Sequence, residues 1–478
     1  MINYTSTRNG FVSVDGATAL LDGFAPDGGL YVPQQLPALN YTDMLDLDYA
    51  ARVEKTLRAF FDFDVNGIAK QAFDGMDDPA PTVKIDDNAF VSELWHGDTH
   101  SSKDLAFKVM RGLVERAKAA KNITATTLLI VATSGDMGKA VAHAFDNADG
   151  IQVCVLYPKD GLSEFLLREL KAINQPNVAV VGVSSDFDEL QSTVKAAFSD
   201  EGVSSALGEN NITLTPANSV NIGAVVPQIA YYFSAYCDLV NSGEIKSGDK
   251  IDFVIPVGNF GGMIAGYYAQ KMGLPINKLV VAAMSFTALT DFIDSGAYDI
   301  NRISSRPAAP VLGNIERLIF GLSGCDAPLT ARRMDELKSN GRFTVTEDEI
   351  NALHDIFAGG TADMDDAMDA IADLFEEYGY LADTHTAAAC AVAFDREFVR
   401  PTVALSISSP YRSAKSVMTA LGEKIPSDGS KLLRQMEDVT ALPAPEDLIA
   451  VFSAKQIHTD VIPPQDIIKF LTERYCKN

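Results

Sequence analysis

No apolar run in this chain reaches the ~18 residues a membrane-crossing helix needs. The opening residues, M-I-N-Y-T-S-T-R, lack the charged start and apolar core of an export signal. Basic tracts are absent as well: Lys and Arg total 39 against 64 Asp and Glu, a formal charge of -25. That balance disfavours nucleic acid and anionic membrane surfaces as partners, and it slows anionic substrates unless a local positive site captures them. The five cysteines (Cys154, Cys237, Cys325, Cys390, Cys476) are far apart and form no C-x-x-C. Free buried thiols in a reducing compartment are expected, with no disulfide framework or structural zinc. The six histidines never show a metal spacing such as H-E-x-x-H, and only His96, His100 and His385 sit in polar, glycine- or threonine-rich context. These absences predict a soluble cytoplasmic protein that uses no metal.

What is present is ordinary globular material. At 478 residues and 47% hydrophobic, the chain has enough apolar mass for two or three domains. Residues 1–90 read as a mixed cap, in which F-A-P-D-G-G-L-Y-V-P (24–33) is a turn leading into a short strand and 46–63 is an amphipathic helix. From 126 onward, apolar strands (126–132, 151–157, 178–183) alternate with helices (162–173, 187–198). After 211 a second series follows: a long helix at 222–239, strands at 250–257 and 278–284, and a late strand within 400–411. This alternation predicts α/β architecture, with two doubly wound parallel-sheet units facing each other across a ligand cleft. The expected division is 1–90 cap, 91–215 small α/β domain, and 216–478 large α/β domain with an acidic helical insertion at 326–380 and C-terminal helices near 413–421, 445–454 and 464–475. The carboxylates of D-M-D-D-A-M-D-A-I-A-D-L-F-E-E (363–377) fall on a solvated helix face.

Three stretches carry chemistry. V-G-N-F-G-G (257–262) follows an apolar strand and opens a helix, so its amides and the helix dipole suit a phosphate. The same pattern also describes a tight strand–helix turn, and it is neither G-x-G-x-x-G nor a Walker loop. S-G-D-M-G (134–138) repeats the design, with amides that fit a carboxylate or phosphate and with the same tight turn as the alternative. The third stretch, E-L-W-H-G-D-T-H-S-S-K-D-L-A-F-K (93–108), holds two lysines, Lys103 and Lys108.

Taken in order, Y-T-S-T-R (4–8), A-P-D-G-G-L-Y-V-P (25–33), E-L-W-H-G (93–97), A-T-S-G-D (132–136), N-S-V-N (218–221), G-N-F-G (258–261), L-T-D-F (289–292), D-T-H-T-A (383–387) and S-P-Y-R (409–412) resemble the threonine synthase family, pyridoxal-phosphate enzymes of fold type II. The resemblance covers nearly the whole chain. It implies that pyridoxal 5'-phosphate is the cofactor and that Lys103, found by counting from His96-Gly97 and followed by Asp104, holds it as a Schiff base and then acts as general base. Lys108, although preceded by Ala106-Phe107, lies five residues too late. The resemblance further implies that Gly258, Asn259, Phe260, Gly261 and Gly262 hold the cofactor phosphate. Asp136 would lie near its phenolic oxygen and Ser408 or Ser406 near its ring nitrogen. Thr99, Ser134, Gly135, Met137, Gly138 and Asn218 would line the substrate site.

The departures from the family pattern cluster in the substrate pocket. Asp98 stands for a proline and Ser101-Ser102 for Ala-Phe; Met137 and Ile407 replace threonines, and Ile222 and Ala224 replace a tryptophan and an arginine. Met284-Ser285-Phe286-Thr287 and Pro307-Ala308-Ala309-Pro310 replace two polar segments. Replacing an arginine by alanine weakens phosphate binding roughly ten- to a hundredfold unless another cation substitutes, and Arg412, Lys415, Lys139 and Lys108 are the candidates. The expected reaction is elimination and replacement on an amino acid with a γ-leaving group: O-phospho-L-homoserine plus water gives L-threonine plus phosphate. The alternatives are a repurposed lyase or synthase acting on another substituted amino acid, and a non-catalytic relative. A small-molecule amino-acid substrate and a monomer or homodimer are expected.

Overall fold

The alternating strands and helices resolve into two parallel sheets. The structure is a computed structural model that describes residues 2–198, 200–257, 260–285, 287–302, 313–395 and 399–476. The smaller sheet has the order Val461–Ile462, Val178–Val183, Ile151–Pro158, Thr126–Ala132, Ile212–Pro216, parallel throughout. The larger runs Phe357–Thr361, Ile276–Ala283, Ile251–Pro256, Thr402–Ser406, Ala89–Glu93, Thr82–Asp86, with only the last pair antiparallel. Val178–Val183 and Thr402–Ser406 are buried at every residue. Strands covered on both faces carry no polar alternation, which is why they read as continuous apolar runs.

Helix Ile222–Asn241 is the central pillar. It is buried almost all round and packs against Tyr49–Phe60, Lys103–Ala120 and Phe260–Lys271. Asn221 caps it, accepting from the Gly223 amide at 2.9 Å while its own amide nitrogen donates to Leu20 O and Pro216 O. A cap whose side chain also bridges two other segments fixes where the helix starts, and so where the cleft wall stands. A three-stranded antiparallel sheet of Val14–Asp15, Asn3–Ser6 and Tyr31–Pro33 forms the N-terminal cap.

Strand pairing redraws the division expected from sequence. Thr82–Asp86 and Ala89–Glu93 belong to the larger sheet, so residue 90 is not a boundary between sheets. Val461–Ile462 joins the smaller sheet, and helix Ile467–Tyr475 packs beside it, although both lie far beyond 215. The stretch 326–380 is not helical throughout. Phe357–Thr361 forms an edge strand, and its Gly359-Gly360 hides it from a reading based on β-branched runs. Helix Gly429–Thr440 was absent from the expectation, though its Asp428 cap and the spacing of Leu432, Leu433 and Met436 were readable. Cysteine burial is also corrected: Cys154, Cys237 and Cys390 are buried, whereas Cys325 is exposed and Cys476 half-buried. Among the described residues, no helix is long and apolar enough to cross a membrane.

Candidate active site

The loops that follow the parallel strands converge on one cleft of about 600 Å³. That is where open α/β sheets place ligands, because strand ends and helix N-termini meet there. Lys103 lies in it, at the first position of helix Lys103–Ala120. Its approach is tightly built. Asp104 accepts from the Thr99 amide at 2.8 Å and from the Thr99 hydroxyl at 2.7 Å, and a Cβ on Gly97 would stand 2.4 Å from the Asp104 Cβ. The Ser102 amide donates to Ile407 O, the Ser409 amide to His100 O, and the Tyr231 hydroxyl to Ser102 O. The lysine is thereby pinned between the 407–409 loop and the central helix. Desolvation pushes its amine below its ordinary value, and Asp136 partly offsets this. A lysine biased toward its neutral form is both a nucleophile and a base.

Ser134, Gly135, Asp136, Met137, Asn218, Phe260 and Ser408 line the same cleft, so the structure brings these expected site residues together with Lys103. Others are placed differently. Thr99 is fully buried in the Asp104 clasp and does not line the cleft. The Gly138 amide donates to the Thr133 hydroxyl, which also accepts from Gly135 N and donates to Gly135 O, so Thr133 organises the loop from beneath. A Cβ on Gly138 would lie 2.5 Å from Thr133 Cγ2 and 2.8 Å from Val155 Cγ1. Gly138→Ala is therefore expected to cost about 1–3 kcal/mol by overpacking, read as a lowered urea midpoint at unchanged m. Gly261 faces the central helix, where a Cβ on it would stand 2.7 Å from Gln228 Nε2, and Gly262 O accepts from the Tyr232 hydroxyl of the same helix at 2.6 Å. Gly258, Asn259, Phe286 and 307–310 lie outside the described residues. Of the two serines offered for the ring nitrogen, Ser408 reaches the cleft. Ser406 instead accepts from Trp95 Nε1 and the Thr386 hydroxyl, both at 2.9 Å.

Of the three histidines singled out, His385 lines the cleft, on a helix capped by Asp383. His96 lies 2.8 Å from Glu93, and His100 lies 3.0 Å from Asp447. Thr287, from the 284–287 segment expected at the substrate pocket, lines the cleft, and so do Phe187, Gln191 and Tyr298, which sequence reasoning passed over. Phe187 and Gln191 carried a usable signal, since their i,i+4 spacing puts them on one helix face. Ala224, where the family pattern has an arginine, is buried inside the central helix.

None of the four cations offered in its place lines the cleft. Lys108 pairs with Asp98 at 2.8 Å, and Lys415 lines a separate outer groove. Arg412 and Lys139 belong to a buried network: Arg412 contacts Asp136 at 2.5 Å, Glu169 at 2.9 and 3.0 Å and Thr99 O at 3.1 Å, while Lys139 meets Glu169 at 2.5 Å. Burial opposes the Arg412 charge, but the two carboxylates outweigh it and raise its pKa further. The network ties the Lys103 approach, the 134–138 loop and helix Glu164–Ala172 to one guanidinium. Among the described cleft-lining residues, Lys103 is the only lysine or arginine.

Residues 82–408 match the family model described as pyridoxal-phosphate dependent enzyme, and residues 3–73 match threonine synthase N terminus. Threonine synthase-like 1 of Homo sapiens is 31% identical over 453 residues; the match takes in 89% of this chain, which spans only 60% of that relative's length. Threonine synthase of Methylobacillus glycogenes is 31% identical over 456 residues, covering 88% of this chain and 93% of its own. The solved structure of pyridoxal-phosphate-bound threonine synthase from Brucella melitensis matches with a TM-score of 0.84 at 28% identity, covering 100% of this chain and 99% of that one. With both family models and these relatives in agreement, the chain belongs to the threonine synthase family of pyridoxal-phosphate-dependent enzymes.

Proposed function

We propose that the chain is a threonine synthase, converting O-phospho-L-homoserine and water to L-threonine and phosphate. The observation that carries this reading is Lys103: an amine biased toward neutrality by burial, at a helix start, in a cleft rimmed by the 134–137 loop, Phe260 and Ser408. That donor set fits pyridoxal phosphate. Lys103 would hold its carbonyl carbon, Ser408 its ring nitrogen, and the 258–262 loop its phosphate, with Asp136 on the phenolic side. When bound, the cofactor supplies an electron sink for negative charge at the substrate α-carbon. Lys103 takes the α-proton. The amides of Ser134 and Met137, at the start of helix Met137–Ala144, hold the substrate carboxylate, and the positive end of the helix favours that anion.

Phosphate release from O-phospho-L-homoserine by the cofactor-loaded protein tests the reading, with threonine as the co-product. A second reading rests on the absence of an arginine, and of any lysine but Lys103, among the described cleft residues: a repurposed lyase acting on an uncharged substituted amino acid. Turnover of such an amino acid, with no phosphate released from O-phospho-L-homoserine, would favour it over the first.

A further inference from the structure

Asp136 stands where a helix cap would, immediately before Met137–Ala144, yet its side chain makes no bond to the helix amides. An aspartate in that place ordinarily caps. Here the carboxylate lies between two cations instead, Arg412 behind it and Lys103 in the cleft. The two sides are unequal. Arg412 sits in the turn Pro410–Ser413 with 6% of its side chain exposed, and both terminal nitrogens are committed. One donates to Thr99 O and Glu169, the other to Asp136 and Glu169. Glu169 has no exposed side-chain surface, so it fixes the guanidinium from the far side. Asp136, about a third exposed, is the member of the set that lines the cleft.

Arg412 takes Oδ1 of Asp136 at 2.5 Å. A carboxylate released from that grip would close on the cation left to it, the Lys103 ammonium. An opposite charge brought within ~4–6 Å favours the charged form of an amine by about one to three pH units. Other titratable groups surround the amine. Asp104 on its own helix is turned into the Thr99 clasp, Asp98 pairs with Lys108, Tyr231 is bonded to Ser102 O, and Tyr298 and His385 line the cleft. Burial and Asp136 are what move the amine, in opposite directions.

We propose that Arg412 is a positioning residue for Lys103: its guanidinium holds Asp136 back from the amine and so leaves that amine able to attack the cofactor's carbonyl carbon. The inference rests on the reading of Lys103 as the group that takes the cofactor. It gives the buried ion network a task in the chemistry. It also accounts for an arginine here, because a planar fork can meet Thr99 O, Glu169 and Asp136 together where a lysine ammonium offers one point.

The test reads the amine itself. Apo-proteins of wild type, Arg412→Met, Arg412→Lys, Asp136→Asn and the double variant Arg412→Met/Asp136→Asn are acetylated with trace acetic anhydride between about pH 6 and 11, around the ordinary lysine value. Mass spectrometry of the Lys103 peptide then gives the pH midpoint of its reactivity. Arg412→Met should raise that midpoint by about one unit, and slow the growth of the visible band after addition of pyridoxal phosphate at neutral pH about tenfold. Arg412→Lys should recover at least half of the shift. Asp136→Asn should lower the midpoint, and the double variant should match Asp136→Asn. Mere loosening around the amine would also raise the midpoint, but that rise would persist in the double variant. An unmoved midpoint in folded Arg412→Met, or a rise that persists in the double variant, overturns the proposal. Should Arg412→Met not fold, a midpoint that falls in Asp136→Asn and rises in Arg412→Lys sustains it, and any other result sinks it. If Lys103→Ala still forms the visible band, the cofactor reading of Lys103 fails on its own, while the midpoints still decide whether Arg412 holds Asp136 off the amine.

Discussion

Replacing Lys103 by alanine is expected to abolish the visible band of the bound cofactor and to lower turnover more than about a thousandfold, since the variant loses both the covalent anchor and the base. The apo-protein should nonetheless become more stable at neutral pH. The folded state holds this amine below its ordinary value, so at intermediate pH the unfolded chain binds more protons there and stability rises with pH. The wild-type deficit is therefore largest below the lowered value and closes as pH climbs toward about 10.5, the ordinary lysine value. Thermal melts of both apo-proteins between pH 7 and 10.5 check this. A gap that stayed constant with pH would mean that Lys103 is charged in the fold.

Glu169→Gln should produce the largest loss of stability, about 3–5 kcal/mol in urea unfolding. The Glu169 side chain has no exposed surface, and it neutralises the buried Lys139 and Arg412 together. Without it, Lys139 loses the carboxylate it pairs with, and Arg412 keeps only Asp136, itself about a third exposed. Adding Lys139→Met to Glu169→Gln removes one orphaned charge and should recover about half of the loss, the coupling expected of residues in one network. Arg412→Met should cost less than Glu169→Gln, because Lys139 still faces Glu169 and water can reach Asp136. Independent, additive effects of the single changes would show that the network is not a unit.

The contrast between these residues shows what was legible in the sequence. Lys103 could be placed by counting, because the segment that presents it is short and local. The strands Thr126–Ala132 and Val178–Val183 matched their expected limits, since two-sided burial writes itself into composition. Glycines were harder to read. Gly138 and Gly261 look like ligand cradles in sequence, yet the space they leave faces Thr133 and Gln228. A missing side chain does not say whether a ligand or a neighbouring helix needs the room. Thr99 failed for a related reason: proximity to Lys103 in sequence gave no hint that its hydroxyl serves Asp104. The Arg412–Glu169 pair joins residues 243 apart, and nothing local in either segment announces the other.

The interleaved sheets also set the order in which this chain acquires its structure. Trp95 Nε1 meets Ser406 across 311 residues, and His458 meets Ile173 O across 285. Until the strand Thr402–Ser406 exists, Ala89–Glu93 and Ile251–Pro256 both lack the neighbour that lies between them. Val178–Val183 likewise keeps an open edge until Val461–Ile462 arrives. Pairings of such separation raise contact order and slow folding, and the waiting strands present unpaired amides and apolar faces that other chains can capture. A growing polypeptide of this kind spends most of its synthesis with both sheets incomplete, so its yield should depend on chaperone supply and on temperature more than its final stability does.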